Sequence, residues 1–188
     1  MQNAFRNSAC LWIAVTLLCL NSACATAPRP LAAVGLFGGW KSAAEGGEAQ
    51  PGYGGQLVVG AGDAQNSVLG LAGITRLNFT GGYDRFFSIG GQYRRSLSLI
   101  GPGAPWVGAE ATFIHETSVL EWPGGNPTGK GYTLGGLLGY RLPTGSIKVS
   151  IFSGVSYFHI GDFAVDGVAA WPGSNHVLLR GGLELQIK

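Results

Sequence analysis

The sequence predicts an all-β chain folded as an eight-stranded, antiparallel, up-and-down transmembrane β-barrel. Three observations carry that expectation. Apolar residues alternate with small or polar ones through many short segments, the period of two that marks a strand with unlike faces. Charged residues make up only 12% of the chain, against roughly 25% in soluble proteins, and glycine stands at 33 of 188. No stretch beyond residue 30 offers 18 uncharged apolar residues, which excludes a bilayer crossing by helix and leaves crossing by strands.

Residues 1–24 read as an export signal, with Arg6 ahead of an apolar core from Ala9 to Leu20 and small residues after it. Two processing routes fit. Ala23-Cys24-Ala25 satisfies the small-x-small rule of ordinary signal peptidase, whereas Ser22-Ala23-Cys24 resembles a lipobox that makes Cys24 a lipidated first residue, with Asn21 where leucine is usual. Cys10 and Cys19 lie inside the signal, so the mature chain holds no disulfide and no cysteine metal site. Residues 25–31 form a proline-containing linker, and residues 32–188 form the barrel.

Strands are expected at about 32–41, 53–61, 67–78, 83–98, 106–119, 131–142, 147–160 and 175–187. The sixth and seventh give the clearest hairpin. Tyr132, Leu134, Gly136, Leu138 and Tyr140 share one face, and Ile147, Val149, Ile151, Val155 and Tyr157 share another beyond the turn at Pro143-Thr144-Gly145-Ser146. Folding about that turn predicts Tyr140 opposite Val149, Leu138 opposite Ile151 and Tyr132 opposite Tyr157. Tyr132 and Tyr140 then stand roughly 20 Å apart in height, close to the ~25 Å apolar band between the aromatic girdles of a membrane barrel. Val177, Leu179, Leu183, Leu185 and Ile187 repeat the pattern in the last strand. Connections of this kind alternate between short turns and long loops, yet the third, at Thr80-Gly81-Gly82, is short where a long one is due.

On the polar face, Arg94, Glu110, Arg180 and Glu184 point into the lumen, where charges must pair because an isolated buried charge is costly. A turn centred near residue 102 predicts Arg94 opposite Glu110, as an ion pair filling the core or as part of a gate or proton path. Tyr132, Tyr140 and Tyr157, with Trp122 and Trp171 of the repeated Trp-Pro-Gly loops, are the expected interface aromatics, and the two loops could alternatively form a binding platform. Gly124-x-x-x-x-Gly129-Lys130 is no phosphate loop, because Gly131 replaces the hydroxyl residue and a strand follows. His115, Glu116, Thr117 and Ser118 are the one acid–base cluster, placed at the rim. His159 and His176 read as solvated strand ends, and three scattered histidines make no metal site. No cofactor is implied. A net charge of +2 gives no footprint for nucleic acid, and the partner expected is outer-membrane lipid.

Over nearly all of residues 32–188 the strand order and face pattern resemble the small eight-stranded outer-membrane barrels of the OmpA and OmpX type. The resemblance implies a non-enzymatic structural or surface-interaction protein of the bacterial outer membrane. Two alternatives stand beside it. Lipid A deacylases are eight-stranded barrels with a His-x-Ser pair on one strand, which His115 and Thr117 resemble, with Ser118 pointing away. A secreted lipocalin-like or avidin-like barrel would bind a small molecule inside and turn its apolar faces inward.

Overall fold

The computed structural model describes residues 28–42, 49–63, 65–97, 104–120, 126–143 and 147–187. The export signal, Cys24 and Trp122 lie outside them. The strands are β1 (Arg29–Lys41), β2 (Gln50–Gly62), β3 (Asn66–Phe79), β4 (Gly82–Ser96), β5 (Ala104–Leu120), β6 (Thr128–Arg141), β7 (Lys148–Ile160), β8 (Phe163–Val165), β9 (Val168–Trp171) and β10 (Ser174–Ile187). Seven of the long strands pair with their sequence neighbours, β7 pairs with β10, and β10 pairs back to β1, so the eight long strands close an antiparallel barrel. Closure leaves no unpaired edge, the condition for a sheet in lipid.

The outer wall is apolar. Leu138 is 56% exposed, Ile151 48% and Leu183 53%, and they share the outside with Leu36, Ile74, Phe113 and Val155. The charged pairs, by contrast, are buried inside. A lipocalin-like barrel turns its apolar faces inward, whereas here the long row of exposed apolar side chains lies outside, and the lumen holds apolar clusters about Phe86, Trp106 and Val58 beside the charged pairs. At 13 to 17 residues the long strands exceed the roughly 9–11 that cross a bilayer, so the barrel projects beyond the apolar band.

Four details depart from the sequence expectation. Strand β1 starts at Arg29, so Arg29–Leu31 of the expected linker already pair with Gly60–Gly62. Both hairpins tested by register shift by two residues. In β6–β7, Tyr140 faces Ile151, Leu138 faces Ser153 and Tyr132 faces His159, and in β4–β5 Glu110 faces Gln92 while Arg94 faces Gly108. A two-residue slip keeps every side chain on its own face, so alternation is blind to it. Lumen volume decides instead. The observed β6–β7 register sets small against large, Gly139 with Phe152, Leu137 with Gly154 and Gly131 with Ile160, whereas the expected one would drive Leu137 onto Phe152. Finally, the loop expected at 161–174 contains the β8–β9 hairpin, turned by Asp166 and Gly167 at φ 51° and 81°. Positive φ at both central residues is the conformation that suits an Asp-Gly hairpin turn.

Candidate functional site

Chemistry-bearing side chains gather in the lumen in three tiers. At the end that holds the chain termini, Arg94 of β4 donates Nη1 and Nη2 to both carboxylate oxygens of Glu184 of β10, each at 2.6 Å. Its guanidinium lies 4.5 Å above the Trp106 ring, and its Nε donates to Gln92 Oε1 at 2.6 Å. A Cβ on Gly139 would collide with the Trp106 indole, so the absent side chain there is what gives the ring its place.

In the middle tier Arg180 of β10 pairs with Glu110 of β5. Glu110 also accepts from Gln92 Nε2 at 3.4 Å and from Ser156 Oγ at 3.2 Å. Thr112 and Thr133 bridge their hydroxyls at 2.7 Å. The expected Arg94–Glu110 pair is therefore replaced by two crossed pairs, Arg94–Glu184 and Arg180–Glu110, with Gln92 linking them. Arg94 sits opposite a glycine, and its long side chain crosses the lumen to reach β10. A cavity of about 40 Å³ lies beside Gln56, Glu110, Thr133 and Arg180.

The third tier lies at the opposite end, where the longer loops leave the barrel. Lys41 Nζ of β1 is 3.2 Å from Asp84 Oδ2 of β4, and Ser118 Oγ of β5 donates to Asp84 Oδ1 at 2.7 Å. The ammonium also lies 5.5 Å from the Phe86 ring centre and 5.8 Å from that of Phe158, within cation–π range. Glu116, only 1% exposed, keeps Oε2 without a hydrogen-bond partner beside this pair. His176 of β10 is buried, with Nδ1 3.0 Å from the Ser42 carbonyl and Nε2 2.8 Å from Ser174 Oγ. A vestibule of about 960 Å³ opens here, lined by Lys41, Asp84, Glu116, Ser118, Phe163 and His176.

This tier was the hardest to read in the sequence. The sequence groups Glu116 and Ser118 with His115 and Thr117 at a rim and reads His176 as solvated; the structure puts Glu116, Ser118 and His176 inside. His115 and Thr117 face outward on β5, separated by the strand from Ser118. The hydrogen bonds of the described residues include none between His115 and Thr117. Lys41 and Asp84 are not among the expected site residues, although Lys41 shares its parity with the inward Phe37 and Ala33 and so has a legible face. Tyr132, Tyr140 and Tyr157 stand on the outer wall, Tyr132 and Tyr157 with ring centres 6.3 Å apart. His159 lies outward beside them, with Nδ1 2.7 Å from Asn175 Oδ1. Trp171 ends β9 opposite Phe163, on the hairpin rather than on a barrel strand. Among the described residues no group of three or more histidines, cysteines or acids could hold a metal.

Against solved structures, the chain is similar to Neisserial surface protein A, at 16% identity and a TM-score of 0.65, over 87% of this chain and 99% of that one. That protein is an eight-stranded outer-membrane barrel. The fold is that of a small eight-stranded outer-membrane barrel. A second structure, the N-terminal β-barrel domain of Pseudomonas aeruginosa OprF, matches at 10% identity and a TM-score of 0.44, over 85% of this chain and 100% of that one. No protein-family profile and no curated protein matches the sequence.

Proposed function

We propose that this chain is a non-enzymatic barrel of the bacterial outer membrane, exported by its N-terminal segment and serving a structural or surface-interaction role. The observation that carries the reading is the contrast between an apolar outer wall and a lumen closed by two crossed ion pairs. Such a lumen braces the sheet, and the vestibule at the loop end is where a partner would meet the barrel. The outward placement of His115 and Thr117, with Ser118 bonded to Asp84 inside, supports no acyl-transfer relay.

Fractionation of cells, lipid A mass spectra with and without the chain, and planar-bilayer recordings of the purified protein test this together. The expected results are recovery with outer membranes, unchanged lipid A and no stepwise conductance. Loss of an acyl chain from lipid A would replace this reading with a deacylase. Steady single-channel steps would make the chain a pore.

A further inference from the structure

The loop-end rim of the outer wall carries positive charge that nothing else in the described chain neutralises. Arg76 on β3 and Arg85 on β4 are direct cross-strand partners, and both side chains are exposed on the outside. Like charges placed directly opposite in a sheet repel each other. The three ion pairs found among the described residues all lie in the lumen and none involves either arginine. Their guanidinium groups nonetheless converge on one ring. The Arg76 guanidinium lies 3.7 Å from the Tyr83 ring centre and that of Arg85 5.9 Å, while Arg85 Nη2 donates to Tyr83 Oη at 3.3 Å. Arg76 Nε donates to Asn78 Oδ1 at 3.0 Å, which leaves its two terminal nitrogens as further donors.

The surroundings fix what such a pair would meet. One step down the same strands toward the middle of the wall stand Ile74 and Phe87, each 55% exposed, so the arginines sit at the upper edge of the apolar band. Tyr53, 58% exposed, flanks Arg76 on β2 and Thr117 flanks Arg85 on β5, so one row across four strands offers two cations between two hydroxyls. The β3–β4 turn directly above is only Thr80 and Gly81, with Gly81 at φ 88°, so this hairpin carries no long loop of its own. Among the described residues, the short third connection leaves Arg76 and Arg85 exposed at the rim. Arginine forks match phosphate oxygens in pairs, and a phosphate between two of them removes their mutual repulsion.

We propose that Arg76 and Arg85, with Tyr53 and Tyr83, form a lipid-facing site for the phosphate of an anionic outer-leaflet glycolipid. The inference rests on the outer-membrane reading above and adds to it the lipid class and the residues. The probe is bisphosphorylated lipid A, compared with the same lipid after removal of both phosphates. Retention on the purified barrel is measured by native mass spectrometry for wild type, Arg76→Gln, Arg85→Gln, the double variant, and Arg95→Gln at the far end of β4. One basic residue at a charged membrane surface is worth about fivefold in affinity, so the single variants should each lose about that much and the double variant on the order of 25-fold. Arg95→Gln should bind as wild type, and the dephosphorylated lipid should bind all five proteins equally weakly. Equal retention of phosphorylated lipid by wild type and the double variant would overturn the site, as would equal retention of both lipids by wild type. Equal losses in Arg95→Gln would reduce it to general surface charge. Should the double variant fail to fold, the two single variants carry the test. Absence of the chain from outer membranes on fractionation would sink the proposed location while leaving lipid retention to stand or fall by itself.

Discussion

Replacing Arg94 by alanine would strand the Glu184 carboxylate, whose side chain is only 3% exposed. The loss can be sized from the geometry. A bidentate pair with both contacts at 2.6 Å holds its charge centres about 4 Å apart, worth about 4 kcal/mol at an effective dielectric near 20. Removing one partner of such a buried pair leaves the other charged and dry, at a cost of roughly 3–5 kcal/mol, whereas removing both restores a neutral lumen. The Arg94→Ala/Glu184→Ala double variant should therefore lose far less than the sum of its parts, with a coupling of about 2–3 kcal/mol. Arg94 and Glu110 touch only through Gln92, so their coupling should be small, below about 1 kcal/mol. Urea unfolding from lipid vesicles gives both numbers, and Trp106 beneath the guanidinium serves as a built-in fluorophore. A larger coupling of Arg94 to Glu110 than to Glu184 would refute both the β4–β5 register and the crossed pairing.

Arginine at Gly136 or Leu138, both outward on β6, should cost about 2–4 kcal/mol if the site lies near the bilayer midplane, read from the same unfolding curves; indifference to both would mean the wall does not face lipid. Gly139→Val should destabilise by about 1–3 kcal/mol and shift Trp106 emission, since the new side chain enters the volume of the indole. In the turn after β2, the backbone N–H groups of Asn66 and Gln65 donate to Asp63 Oδ1 and hold its carboxyl below the usual carboxylate value. That contribution is present above the unfolded value near ~4 and disappears as pH falls through the lower folded one. The difference in stability between wild type and Asp63→Ala should accordingly vanish in acid, and a difference that persists there would contradict the bond.

The sequence was most transparent where a strand has two unlike faces. Val177 to Ile187 and Tyr132 to Tyr140 declared their outer side by period alone, and closure of eight such strands followed. Pairing was not transparent, because sliding Arg94 from Gly108 to Glu110 moves no side chain to the wrong face; bulk against glycine distinguishes the registers, Arg94 with Gly108 in β4–β5, and Phe152 with Gly139 and Leu137 with Gly154 in β6–β7. The β8–β9 hairpin was legible in principle, since Asp166-Gly167 lies between Phe-Ala-Val and Val-Ala-Ala. The loop-end tier depends on side chains from β1, β4, β5 and β10 meeting across the lumen, a juxtaposition up to 135 residues apart in sequence between Lys41 and His176 that no local pattern encodes.

The crossed pairs also act as a spelling check on the final strand. Arg180 and Glu184 stand four residues apart on β10 and must meet a carboxylate on β5 and a guanidinium on β4. An even slip of β10 would satisfy the lipid and the alternation alike, yet a four-residue slip would bring Glu184 up to Glu110, acid against acid. The closing strand therefore carries its register in charge as well as in hydrophobicity: only the observed frame sets both of its charges against opposite ones.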